Sequence, residues 1–259
     1  MAETYNAGTR ASYKPPNSMQ SAWLIGRRQM LEAVRDRSTL IMTGFLLVIQ
    51  AVVMLSLLQP LARSHLSPKD AASTATLMVF GLLYVGLLPV TPAVGIASGV
   101  FAGDKERGSL TPLLVTPLSN TAIFAGKILG AVLPALIYAL IGIIVYLAEI
   151  ALFFGTDKLG LFPVGLSIAI LVLIPAITLL GASLASLISS RVSTFQAAQN
   201  YTSIILIVFW FALAALLFLA SSWGLWVFML AVICLIGVDG LLILIGAATW
   251  RREEVMAQR

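Results

Sequence analysis

Val192-Ser193-Thr194-Phe195-Gln196-Ala197-Ala198-Gln199-Asn200 opens a stretch that runs on through Tyr201, Trp210, Ser221 and Trp226 to Val238 without a charged side chain. As one straight helix these 47 residues would measure about 70 Å at about 1.5 Å per residue, more than twice a hydrocarbon core of about 30 Å. The stretch therefore holds two membrane crossings, divided at Ser221-Ser222-Trp223-Gly224, where small and polar residues interrupt the apolar pattern.

Working outward, the same pattern recurs. Apolar runs long enough to cross a bilayer place spans at about 40–58, 75–102, 124–152, 162–189, 199–220 and 225–249. Pro89 and Pro92 lie inside the second run and Pro175 inside the fourth, where each should kink or locally unwind a helix. The chain is 59% hydrophobic and 10% charged, against about 25% charged for a soluble domain. No series of roughly ten-residue alternating strands, as a membrane barrel requires, is present. The expected fold class is an all-α membrane protein with six transmembrane helices filling residues 39–250.

Charge sets the orientation. The segments before the first span, after the second, after the fourth and after the sixth hold 13 of the 16 Lys and Arg, and the alternate loops hold only Arg63, Lys69 and Lys158. By the positive-inside rule both termini and the loop after the second span are cytoplasmic. The net charge of +5 is accounted for by these flanks, so nucleic acid is not an expected partner; the lipid bilayer is. Residues 1–19 have no apolar core, read as a disordered cytoplasmic tail rather than a secretory signal, and residues 251–259 form a second cytoplasmic tail.

Residues 20–38 read as an amphipathic helix, with Trp23, Met30, Leu31 and Val34 on one face and Arg27, Arg28, Arg35 and Arg37 elsewhere. Such a helix lies in the membrane interface or packs on a neighbouring domain. A single Cys234 and a single His65 exclude a disulfide framework or a His/Cys metal cluster; Cys234 is expected to pack in an apolar run.

Between the uncharged stretches Ala71 to Gly103 and Ile128 to Ala148 sits one short polar segment, Asp104-Lys105-Glu106-Arg107-Gly108-Ser109-Leu110-Thr111-Pro112-Leu113-Leu114-Val115-Thr116-Pro117-Leu118-Ser119. Gly108 can release the chain from the preceding helix, and Ser109 or Thr111 can cap a short helix with Pro112 in its first turn. Leu110, Leu113 and Leu114 then fall at i, i+3 and i+4 as an apolar patch. Thr116-Pro117 ends it, and Ser119 or Asn120 can cap the third span.

The sequence Glu106-Arg107-Gly108-Ser109-Leu110, then Leu113-Leu114, Thr116-Pro117, Ser119 and Gly126-Lys127, resembles the permeases of type-2 ABC exporters. In that family the pattern reads approximately E-R-G-[ST]-L-x-x-L-L-x-T-P-x-S, followed by G-K. The charged stretch Glu32 and Arg35-Asp36-Arg37 also resembles the family's interfacial helix. Thr111-Pro112 departs from it, where relatives more often carry an acidic or polar helix former. The resemblance implies a short cytoplasmic coupling helix that docks on a separate ABC nucleotide-binding subunit, present in two copies. Asp104, Glu106, Arg107, Gly108, Leu110, Leu113 and Leu114 are its coupling residues. It also implies a second permease copy, as homodimer or paralogue, in a bacterial or archaeal inner membrane. No catalytic, cofactor-binding or metal-binding residue is expected in this chain. It has no G-x-x-x-x-G-K-[ST] phosphate loop, so ATP and Mg are assigned to the partner subunit.

Polar residues inside the spans are candidates for a translocation path or dimer interface. Gln196, Gln199, Asn200 and Ser203 can share one helix face at the start of the fifth span. Asp239 lies near mid-depth of the sixth, where an ionised carboxylate costs about 2.5–3.5 kcal/mol on insertion scales. It can bind a cation, pair across an interface or mark a conduit, or serve structurally as a protonated or hydrogen-bonded group. Glu149, near the outer end of the third span, is expected to reach interfacial water. Gly95, Gly99 and Gly103, spaced by four, would permit close helix contact. The alternative function is an ion-coupled secondary transporter using Asp239, although no internal repeat is visible. An intramembrane enzyme fits poorly, because Asp239 lacks a second intramembrane catalytic partner.

Overall fold

The computed structural model describes residues 17–62, 67–108, 118–223 and 225–249. Eight α-helices account for most of them: α1 Ser18–Arg35, α2 Arg37–Leu57, α3 Pro68–Leu87, α4 Val90–Glu106, α5 Asn120–Glu149, α6 Val164–Arg191, α7 Phe195–Trp223 and α8 Leu225–Thr249. There is no strand among the described residues.

Local chemistry explains most of the boundaries. Asp36 starts α2 by accepting hydrogen bonds from the backbone N–H and the hydroxyl of Thr39, at 3.0 and 2.7 Å. Ser67 caps α3 and Ser119 caps α5, through Asp70 N–H at 3.2 Å and Ala122 N–H at 3.1 Å. The long second run is two helices, because α3 stops at Leu87 and α4 begins at Val90, with Pro89 at the join. Pro92 sits in the first turn of α4, where its missing N–H is no loss, while Pro175 lies within a continuous α6. Beyond Glu149 the chain makes one π-helical turn, Ile150–Phe154, turns at Gly155 with φ +100°, and forms a 3-10 turn over Thr156–Leu161.

Among the described residues, five stretches are long and apolar enough to cross a membrane: Thr39–Leu57, Lys69–Glu106, Asn120–Phe154, Val164–Arg191 and Met229–Thr249. The 29-residue α7 contains the sequence-expected fifth span. Within the chain α3 and α4 are central and α2 and α8 peripheral: 67% of the apolar window over α3 and α4 is buried, against 17% for those of α2 and α8. The core is built from Phe101, Phe124, Tyr146, Met78, Ile128 and Leu173, all fully buried. Tyr146 donates its hydroxyl to the Met78 carbonyl at 2.9 Å, and Gln50 donates to the Gly142 carbonyl at 3.2 Å, tying α2 to α5.

Helix α1 packs along the first half of α5, on a different face from the one its apolar pattern suggested. Ser21, Ala22 and Gly26 are buried, Met30 and Val34 half-buried, and Trp23 and Leu31 exposed. Small residues allow two helix backbones to approach closely, and here the approach needs glycine. A Cβ at Gly126 would lie 2.7 Å from the Ala22 carbonyl oxygen, and one at Gly26 would lie 3.0 Å from that of Gly126. Two further expectations are corrected: Cys234 is exposed rather than packed, and Glu149 is buried rather than wetted. Neither carboxylate oxygen of Glu149 has a hydrogen-bond partner among the described residues.

Candidate functional site

The α4 helix ends in Asp104, Lys105 and Glu106, and each of the three reaches a different helix. Successive residues on an α-helix point about 100° apart, so three consecutive long polar side chains address three different neighbours. Asp104 accepts a hydrogen bond from Lys127 Nζ, on α5, at 2.5 Å. Lys127 is 3% exposed and Asp104 35%. The Lys127 ammonium also donates to the Val100 carbonyl at 2.5 Å and lies 4.7 Å from the centre of the Phe101 ring. Phe101 in turn stacks on Phe124, with centroids 5.2 Å apart. A buried ammonium is costly unless paired and hydrogen-bonded; carboxylate, carbonyl and ring face together meet that demand.

Lys105 donates to the Ser190 and Val192 carbonyls, at 2.7 and 3.1 Å, where α6 ends. Glu106 accepts from the Phe195 backbone N–H at 3.0 Å, where α7 begins. Both contacts follow the helix dipole, a cation at a C-terminus and an anion at an N-terminus. Below them, Ser189 donates to the Ser98 carbonyl at 2.6 Å and accepts from the N–H groups of Phe101 and Ala102 at 3.1 and 2.9 Å. The α6 side chain is thus inserted into the hydrogen-bond ladder of α4, a place where helices bend.

Of the sequence-expected coupling residues, Asp104 and Glu106 are held in these contacts, while Arg107 and Gly108 are exposed. Gly108 has φ +67°, a left-handed conformation that favours glycine, and it turns the chain out of α4. Leu110, Leu113 and Leu114 lie outside the described residues, as does the short helix expected over them.

Beside this helix end opens a cavity of about 820 Å³. Its walls come from the α1–α2 elbow (Glu32, Asp36), the glycine-bearing face of α4 (Gly95, Gly103) and the start of α7 (Phe195, Gln199). The glycine stripe therefore does not serve close helix packing throughout. A Cβ at Gly95 or Gly103 would meet nothing within 4 Å, and only Gly99 is covered, by the Phe195 ring.

Gln196, Gln199, Asn200 and Ser203 are all exposed, while Ala198 and Thr202 between them are buried. Gln196 bonds Asn200 at 3.1 Å, Ser203 bonds the Gln199 carbonyl at 2.8 Å, and Gln199 lines the cavity. Asp239 stands apart from the cavity lining: it is 2% exposed on α8, and neither carboxylate oxygen has a hydrogen-bond partner among the described residues. No group of three or more His, Cys, Asp or Glu placed to hold a metal ion occurs among the described residues.

Sequence reasoning passed over Lys127, reading Gly126-Lys127 only as the opening of a span. The available signal was a lone lysine inside an apolar helix, which demands a carboxylate partner. Asp104 and Glu106, across the loop, were candidates. Ser189 left no such signal, since serines are common in apolar spans.

The family described as ABC-2 family transporter protein matches residues 23–223, from α1 to the end of α7. The ABC transporter permease protein NatB of Bacillus subtilis (strain 168) is 26% identical over 159 residues, a match that spans 58% of this chain and 40% of that relative. With most of its length matched, from the α1–α5 crossing through the Asp104 end of α4 to α7, the chain belongs to the ABC-2 transporter family, as an integral membrane protein.

Proposed function

We propose that this chain is the membrane half of an ATP-driven exporter, in which a separate nucleotide-binding subunit hydrolyses ATP and this chain carries the cargo. The observation that carries the reading is the segment 104–119: its sequence resembles a coupling element, and its α4 base is bonded to α5, α6 and α7 at once. A loop on such a base delivers a displacement to several helices together. Family membership supports an ABC ATP-binding partner, and the lack of a phosphate-loop motif in this sequence supports assigning ATP and Mg to that partner.

In this reading α2, the α3–α4 pair, α5, α6, α7 and α8 are six spans, and both termini and segment 104–119 face the cytoplasm. Two copies, or this chain and a paralogue, assemble with two ATPase subunits. The cavity between the α1–α2 elbow, α4 and α7 is the cytoplasmic entrance for cargo, with Gln199 at its wall. Its lining mixes apolar residues with charged ones, among them Glu32, Asp36, Glu106 and Arg107. Transport proceeds by rearrangement of helices, without covalent chemistry in this chain.

A second reading, an ion-coupled carrier, is favoured by one observation, the buried and unpartnered carboxylate of Asp239. The two separate cleanly in vesicles. The exporter reading expects a tagged chain to co-purify with an ATPase whose turnover depends on the chain, and expects Asp239→Asn to preserve that turnover. Transport by the isolated chain, driven by an ion gradient and abolished in Asp239→Asn, would establish the carrier instead.

A further inference from the structure

The two ends of the loop between α4 and α5 do not hang free. Asp104 and Lys127 join its base on one side, and the Phe101–Phe124 stack backs that join. Lys105 holds the last carbonyls of α6, and Glu106 holds the first N–H of α7. Ser189, inserted into α4, fastens the α6 end a second time. Two pairs of helix ends far apart in sequence, at residues 106 and 120 and at residues 191 and 195, are therefore bonded through three consecutive side chains.

From these contacts we infer that Asp104, Lys105 and Glu106, with Lys127, form an internal staple that makes the loop-side ends of α4, α5, α6 and α7 one rigid body, and that Lys127 and Lys105 are its positioning residues. Each bond is directed by charge as well as geometry. The ammonium of Lys127 has no solvent to retreat to at 3% exposure, and the Lys105 and Glu106 contacts use opposite helix-end charges. The staple sits beside the cavity, since Asp104 and Glu106 also line it. A push on the loop consequently reaches the α4 and α7 walls of the cavity together. The rigidity stands on the contacts alone; its use in transmitting an ATP-driven push rests on the function proposed above.

The test is a distance measurement across the staple. In a Cys234→Ser background, spin labels at Thr121→Cys and Ser193→Cys, both exposed, report the separation of the α5 start from the α6–α7 connection. The chain is reconstituted in phosphatidylethanolamine–phosphatidylglycerol vesicles, alone and with its ATPase subunit. Wild-type side chains at 104, 105 and 127 should give a single narrow distribution. Lys127→Met and Lys105→Met should each widen it at least twofold, and Asp104→Glu, which keeps the carboxylate, should leave it narrow. A narrow distribution in both methionine variants would overturn the staple. Should Lys127→Met not fold, Lys105→Met decides alone, because Lys105 is only half-buried. If no ATPase subunit assembles, the exporter reading fails, while the width measured on the chain alone still decides the staple.

Discussion

A lysine at 3% exposure inside an apolar helix is tolerated only because its three neighbours, Asp104, the Val100 carbonyl and the Phe101 ring, replace the water it has lost. The two halves of the ion pair are not equivalent, since Asp104 keeps 35% exposure. Asp104→Asn leaves the buried ammonium without its counter-charge and should cost about 3–5 kcal/mol of stability. Lys127→Met leaves a carboxylate that still reaches water and should cost about 1 kcal/mol or less. Thermal unfolding of the two purified variants in one detergent checks this; equal losses would mean that the lysine is not the more buried partner. Glu106 is a different case, because it adds a second acceptor at the start of α7, taking the Phe195 N–H beside the Thr194 hydroxyl that caps the Ala197 N–H. Glu106→Gln should retain an acceptor for the Phe195 N–H and most of the stability, whereas Glu106→Ala should lose about 0.5–2 kcal/mol.

At the level of helices, the glycines divide into two kinds that spacing alone does not distinguish. Gly126 and Gly26 mark a backbone-to-backbone crossing of α1 and α5, whereas Gly95 faces open cavity. Gly126→Ala should therefore separate α1 from α5 and cost about 1–3 kcal/mol by overpacking. Gly95→Ala should be neutral or stabilising by up to about 1 kcal/mol through helix propensity. Proteolysis of α1 in the two variants distinguishes them: faster cleavage is expected only for Gly126→Ala. Much at this scale was legible in the sequence. Pro89 foretold the break between α3 and α4, Ser119 the cap of α5, and Gly108 the exit from α4, because each acts through its own backbone. The buried face of α1 was not legible from apolar periodicity. Its contact depends on what is small, Ala22 and Gly26 against Gly126, rather than on what is large. The burial of Glu149 depends on packing around the π-helical turn after α5, which no local pattern reports.

Taken whole, the molecule pairs an apolar helical body, made for lipid, with one polar end where chemistry is concentrated. The class of protein was readable because composition and span length act over the entire chain, and the motif at 106–119 carried the family. The cavity and the staple were not readable: both are made by residues from helices distant in sequence, such as Asp36 with Gln199, or Lys105 with Ser190. If segment 104–119 is where the ATPase subunit docks, its leucine patch should matter more than any residue within the spans. Leu110→Ser/Leu113→Ser/Leu114→Ser should release that subunit, and Asp239→Asn should not. The most direct measurement is capture of the tagged chain from its own membrane, quantifying the ATPase subunit retained per copy. Docking through segment 104–119 implies near wild-type retention with Asp239→Asn and at least a tenfold loss with the triple serine variant. Equal retention by the triple variant and the wild type would contradict it.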